Sequence, residues 1–176
     1  MSTRCARQVP SIREWFDEQL SRTLFPMLAA RYPLAIHSPS ELRVMDAFVV
    51  RYDAEAQRSL PEHIDENTFS FTIALNEGEY EGGGTSFREL RPVGETGEFG
   101  PMTVSGRAGG VVSFPGKLRH AGAPVTAGRR YIIPLFCYLD ANKSGKRPGY
   151  MLDSLGLDVP DTSAAKLSRY ASALVS

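Results

Sequence analysis

A chain of 176 residues, 42% hydrophobic and 23% charged, has enough material for one domain with a real core. Its 20 basic and 20 acidic side chains balance to a formal charge of zero, which argues against the broad basic footprint of a non-specific nucleic-acid binder. No apolar run has the length of a membrane span, no leader-like apolar core follows Met1, and Cys5 and Cys137 are the only cysteines. The expectation is a single domain over residues 1–176, cytoplasmic, with no membrane contact and no disulfide framework.

Residues 1–10 read as irregular. Ser11 and Glu14 then stand at capping-box spacing, and Ile12, Trp15, Phe16 and Leu20 recur at helical spacing, so helical support is predicted over about 11–31. Pro26 ends that helix or opens a second one. From about 42 to 140 the texture is that of short strands. Residues 42–52 carry Val44, Phe48, Val49 and Val50, and residues 68–75 alternate aromatic and β-branched side chains. Gly82-Gly83-Gly84 breaks the chain before Thr85 and suits a bend or a close backbone approach. Residues 91–102, with Glu95 and Glu98, read as an exposed loop. Val111 to Phe114 is a short buried strand closed by Pro115-Gly116, and residues 130–139 form the longest β-type run. Residues 142–148 are a basic loop. A last helix is predicted over 161–175, capped by Asp161 or Thr162, with Leu167, Tyr170 and Leu174 on one face. Helices, about eight short strands and a final helix describe a mainly β (α+β) chain of the sandwich or jelly-roll type.

The chain has three histidines, His37, His63 and His120. His63 belongs to His63-Ile64-Asp65. Alternate residues of a strand point to one side, so His63 and Asp65 can face a common cavity. One extended segment cannot wrap a metal, so a third ligand must come from a distant strand, and His120 meets that need. Two imidazoles and one carboxylate are the donor set of the facial triad that holds non-haem Fe(II) and leaves positions open; zinc can use the same donors. The plainer alternative for His63 is a solvated loop histidine. His37, beside Ser38-Pro39, reads as a surface loop residue.

The surrounding blocks occur in a telling order. Arg51-Tyr52 precedes His63-Ile64-Asp65, then come Ala74-Leu75-Asn76 and Gly82-Gly83-Gly84-Thr85-Ser86-Phe87. Residues 109–116 (Gly-Gly-Val-Val-Ser-Phe-Pro-Gly), His120-Ala121-Gly122-Ala123-Pro124-Val125-Thr126 and Gly128-Arg129-Arg130-Tyr131-Ile132 follow. In this order, over about 43–140, the chain resembles the Fe(II)- and 2-oxoglutarate-dependent dioxygenases of the prolyl 4-hydroxylase and lysyl hydroxylase type. The resemblance implies a double-stranded β-helix, cupin-like, with the N-terminal helices packed on one sheet, a core over about 42–140 and a C-terminal loop and helix over 141–176. It implies His63, Asp65 and His120 as iron ligands and Arg130 as the partner of the distal carboxylate of 2-oxoglutarate, a bidentate role suited to guanidinium. Tyr52 and Thr85 match positions that offer hydroxyls to the co-substrate; the plainer alternative for Tyr52 is a core tyrosine. Arg129 would then point to the opposite face of its strand.

The implied reaction consumes O2 and 2-oxoglutarate, releases succinate and CO2 and hydroxylates a C–H bond, with ascorbate as the reactivating reductant. The implied substrate is a prolyl or lysyl side chain in a peptide or protein, or alternatively a free amino acid or other small molecule. Collagen-type prolyl 4-hydroxylases carry lysine where Arg130 stands, so a collagen-like substrate does not follow directly. Nucleic-acid demethylases of this chemistry carry a second arginine where this chain has Phe136, so no nucleic-acid partner is expected. Related halogenases lack the carboxylate ligand, which Asp65 supplies here. A cupin-type metalloisomerase and a β-sandwich binding module with an inert site complete the alternatives.

Overall fold

The computed structural model describes residues 10–88 and 100–140. The helix expected over 161–175, the loop over 142–148 and most of the loop over 91–102 lie outside the described residues, as does Cys5.

The chain opens with α1 (Pro10–Gln19), passes through a π-helical turn (Leu20–Leu24) and continues as α2 (Phe25–Arg31). Pro10 is already helical, so Ser11 and Glu14 lie inside the helix rather than forming its cap. Its buried stripe is Phe16, Leu20, Leu24 and Leu28, while Ile12 and Trp15 are 48% and 57% exposed. An α-helix has 3.6 residues per turn, so a stripe repeating every four residues drifts around its axis. The π turn corrects that drift: the Phe25 N–H reaches back to the Leu20 carbonyl, which widens the turn and keeps the stripe on one face. Pro26, which has no N–H to give, falls in the first turn of α2, where that lack is harmless.

Ten strands follow among the described residues. They are β1 (Leu42–Ala47), β2 (Val50–Asp53), β3 (Leu60–His63), β4 (Phe69–Ala74), β5 (Tyr80–Gly82), β6 (Thr85–Phe87), β7 (Met102–Val104), β8 (Val111–Pro115), β9 (His120–Gly122) and β10 (Val125–Leu139). One antiparallel sheet runs β1-β10-β4-β8, with β2 and β5 paired along the first half of β10; the other runs β3-β9-β6-β7. The double-stranded β-helix architecture is therefore as expected, as are the helices on one sheet. Among the described residues no helix is long and apolar enough to cross a membrane.

β10 is the spine of the larger sheet. Leu135, Cys137 and Leu139 face the helices and pack with the α1–α2 stripe and with Phe69 and Phe71 of β4. Arg130, Ile132, Pro134 and Phe136, the alternate set, face a cavity. Cys137 is free and buried, and burial pushes its thiol up to about 12. The single strand expected over 42–52 is in fact two. β1 pairs with β10 up to Ala47↔Leu135, and β2 resumes at Val50↔Ile132. Between them stands Pro134, which accepts from the Phe48 N–H at 3.4 Å and has no donor to return. The ladder breaks where the proline removes its bond.

The two sheets meet in a second core in which Phe87 of β6 packs on Val112 and Phe114 of β8 and on Leu118. The cavity lies beside this core, between the larger sheet and strands β3, β6 and β9.

Candidate metal centre

His63 ends β3 and His120 begins β9, and the two are cross-strand partners in the smaller sheet. Their rings sit 4.3 Å apart, centroid to centroid. Asp65 lies two residues beyond His63 but past the end of β3, so it does not share the strand geometry expected for it. Its backbone N–H is held instead by the Gly116 carbonyl at 2.8 Å, while Ile64 between them turns out to solvent. The outcome is the same juxtaposition: the ligand-type atoms of His63, Asp65 and His120 all lie within 4.8 Å of one another.

Each imidazole is oriented by the carbonyl two residues before it. His63 Nδ1 lies 2.8 Å from the Pro61 carbonyl, and His120 Nδ1 lies 2.8 Å from the Leu118 carbonyl. A carbonyl can only accept, so in each ring Nδ1 carries the proton and donates it. In the neutral rings Nε2 is then left with a lone pair. Both Nε2 atoms face the Asp65 carboxylate, at 3.5 Å from Oδ1 for His63 and 3.5 Å from Oδ2 for His120. Burial beside Phe114 pushes the His120 pKa below its ordinary value, against the pull of the Leu118 carbonyl and the Asp65 carboxylate. Acceptors facing acceptors across such a gap are an arrangement that a cation stabilises. The donor set therefore fits a divalent metal.

The same cavity, about 290 Å³ in volume, has a cationic end. Arg130 is 3% exposed. Among the described residues its Nε is buried with no acceptor, and its Nη1 reaches only the Gly84 carbonyl at 3.4 Å. No carboxylate pairs with it among the described residues. Its guanidinium carbon lies 5.8 Å from the centroid of the Tyr52 ring, and Tyr52 is its cross-strand partner. A buried cation without an anion is costly, and an anionic ligand would relieve it. Glycines make the room: a Cβ at Gly83 would come within 2.9 Å of Arg130 Cδ, and one at Gly122 within 2.8 Å of Tyr52 Oη. Burial raises the Tyr52 pKa despite the neighbouring Arg130, so the phenol keeps its proton and can donate. Thr85 is buried in the same cavity, with its hydroxyl 3.4 Å from that of Thr72.

Arg129 turns the other way, pairing at 2.8 Å with Asp53 on the outer face. His37 is exposed and apart from the centre, beside Glu41. Asn76 does not line the cavity: its side chain donates to the Arg129 carbonyl and accepts from the Tyr131 N–H, fixing the stretch of β10 that carries Arg130. Reading the sequence missed Ser70, Thr72 and Asn67. Ser70 and Thr72 are the polar alternates of a strand whose other face is Phe69 and Phe71, and polar alternation in a buried strand is the signal that marks them.

No family model matches the chain. A Burkholderia pseudomallei oxidoreductase of the 2OG-Fe(II) oxygenase family superposes with a TM-score of 0.55 at 17% identity, over 74% of this chain and 57% of that one. The fold is that of the 2OG-Fe(II) oxygenases. In sequence, the human multifunctional procollagen lysine hydroxylase and glycosyltransferase is 37% identical over 135 residues, covering 74% of this chain and 16% of that protein. The Caenorhabditis elegans multifunctional procollagen lysine hydroxylase and glycosyltransferase is 40% identical over 104 residues, covering 57% and 13%. The chain thus spans about one-sixth or less of the length of these curated relatives.

Proposed function

We propose that this protein is an Fe(II)- and 2-oxoglutarate-dependent hydroxylase acting on a prolyl or lysyl side chain of a peptide or protein. The observation that carries the reading is one cavity with two complementary ends: an acceptor-only triad that suits a divalent metal, and a buried guanidinium that suits a carboxylate. The similarity to procollagen lysine hydroxylases supports the choice of a peptidyl side chain. Phe136, which lines the cavity edge-on to Phe48, favours an apolar group there over a nucleic-acid phosphate.

In this reading His63, Asp65 and His120 hold Fe(II). Bound together, Fe(II) and 2-oxoglutarate supply the oxidative chemistry, in which O2 is consumed, 2-oxoglutarate becomes succinate and CO2, and the substrate C–H gains a hydroxyl, with ascorbate as the reactivating reductant. The protein's own contribution is placement and exclusion of water. Arg130 forks onto the distal carboxylate of 2-oxoglutarate, and its charge is worth more in a buried socket than in water. The Tyr52 phenol, kept protonated by burial, donates to the same ligand, and the Thr85 hydroxyl lines its path. The apolar walls, Val50, Phe114 and Ile132 among them, keep the reacting region dry.

The test is metal binding together with succinate formation. His63→Ala and Asp65→Ala abolish both, and His37→Ala changes neither. Equal turnover in all three variants contradicts the assignment of the ligands.

A further inference from the structure

Behind the candidate metal centre lies a chain of hydrogen bonds whose direction is fixed. Asn67 is 4% exposed and Ser70 is 1% exposed. The Asn67 side-chain nitrogen lies 2.6 Å from the Phe69 carbonyl and 3.0 Å from Ser70 Oγ. The Phe69 carbonyl can only accept, so the amide must turn its NH2 toward it, and the second N–H then points at Ser70 Oγ. Ser70 Oγ therefore accepts from Asn67, and its single proton goes to the remaining neighbour, Asp65 Oδ2. The cost of this orientation is visible at the other end of the amide, where Asn67 Oδ1 is buried without a partner among the described residues. A buried unsatisfied carbonyl is unfavourable, so the amide orientation is held by the relay it feeds.

We infer that Ser70 is a positioning residue for the Asp65 carboxylate, and that Asn67 sets the direction of its hydroxyl. The inference rests on the reading of His63, Asp65 and His120 as metal-holding. The Ser70 hydroxyl takes up Oδ2 from behind and the Gly116 carbonyl holds the Asp65 backbone N–H. Among the described residues no hydrogen-bond donor addresses Oδ1. The carboxylate is thus fixed in rotation with one oxygen committed to the protein and the other turned toward the His63 imidazole. Without the hydroxyl, Asp65 is free to rotate about its side-chain bonds, and a metal must order it on binding. Partners of this kind behind a ligand contribute about 10–100-fold to metal affinity.

The experiment is anaerobic titration with Ni(II) by calorimetry and with Co(II) by visible absorption, with thermal melts as a check of folding. Ser70→Thr and Ser70→Val have the same shape and differ by the hydroxyl alone. The expected result is that Ser70→Thr binds both metals as the unmodified protein does. Ser70→Val loses about 10–100-fold in affinity and shows a changed Co(II) ligand-field spectrum. Asn67→Asp, which puts an acceptor in place of the donor and draws the Ser70 proton away from Asp65, weakens binding in the same direction. Equal affinities and spectra for Ser70→Thr and Ser70→Val, or undiminished binding in Asn67→Asp, overturn the inference. The unmodified protein with His63→Ala as control separates the two levels. Metal binding that depends on His63 but not on the Ser70 hydroxyl overturns the positioning role alone, whereas no metal binding in the unmodified protein overturns the reading of the centre with it.

Discussion

Arg129 and Arg130 are neighbours in sequence and opposites in circumstance. Arg129 lies on the outer face of β10, exposed and paired with Asp53 at 2.8 Å. Arg130 lies on the inner face, 3% exposed, with an unpartnered Nε and no carboxylate among the described residues. The period of two along a strand produces this split, since one residue of register decides which side chain meets water. A surface ion pair is complete in itself and contributes little to stability. A buried cation is incomplete, and its completion must come from something that binds. The outer arginine is satisfied within the fold, and the inner one is the residue that the proposed function assigns to an anionic ligand.

Removing the inner charge is the severest way to break that contrast. Arg130→Met is expected to weaken 2-oxoglutarate at least about 30-fold, the scale on which one partner of a buried charge pair acts. The same substitution leaves the melting temperature of the ligand-free protein unchanged or raises it, because an apolar side chain replaces an uncompensated buried charge. A fall in melting temperature with unchanged 2-oxoglutarate affinity would invert the assignment. Gly116→Ala tests the backbone side of the centre: a Cβ there would lie 2.3 Å from the Asn67 carbonyl oxygen. The turn that holds Asp65 must shift, so a loss of about 1–3 kcal/mol in stability and weaker metal binding are expected in denaturant and metal titrations. The smallest effect belongs to the outer pair. Arg129→Met should leave 2-oxoglutarate affinity within about twofold, as befits a screened surface pair. Arg129 holds the Asp53 carboxyl below its usual range, with the Glu55 N–H assisting. A depressed native pKa gives stability that is complete above the unfolded value of about 3.9 and is lost as pH falls through the native one. Asp53→Asn should therefore lower stability slightly near neutrality, where that contribution is complete, and converge with the unmodified protein as pH falls below about 4, which flattens the acid limb of the profile.

The grouping of His63, Asp65 and His120 was legible because they stand among blocks whose order resembles that of a known family, and their ligand-type atoms do lie within 4.8 Å of one another. The strand period says that one of Arg129 and Arg130 faces inward but not which, and it was the resemblance that pointed to Arg130. Asp65 was readable as a partner of His63 but not in its mechanics, since it lies beyond the strand and depends on Gly116, distant in sequence. Ile12 and Trp15 fit a helical stripe on paper, yet both are exposed, and the buried stripe begins at Phe16 and runs through Leu20 and Leu24 to Leu28. Pro134 could have announced the break between β1 and β2, but only once its partner strand was known. The three-residue strands β5, β6, β7 and β9 are too short to carry a hydrophobic period. The Asn67–Ser70–Asp65 relay depends on atom-level contacts that no spacing encodes.

The most direct test of the central claim, one cavity with a metal end and an anion end, is visible absorption during anaerobic addition of Fe(II) and then 2-oxoglutarate. The account predicts a metal-to-ligand charge-transfer band in the unmodified protein, no band in His63→Ala, and a band in Arg130→Met only at much higher 2-oxoglutarate. A folded, iron-loaded protein with no band, or the same 2-oxoglutarate dependence with and without Arg130, would contradict it.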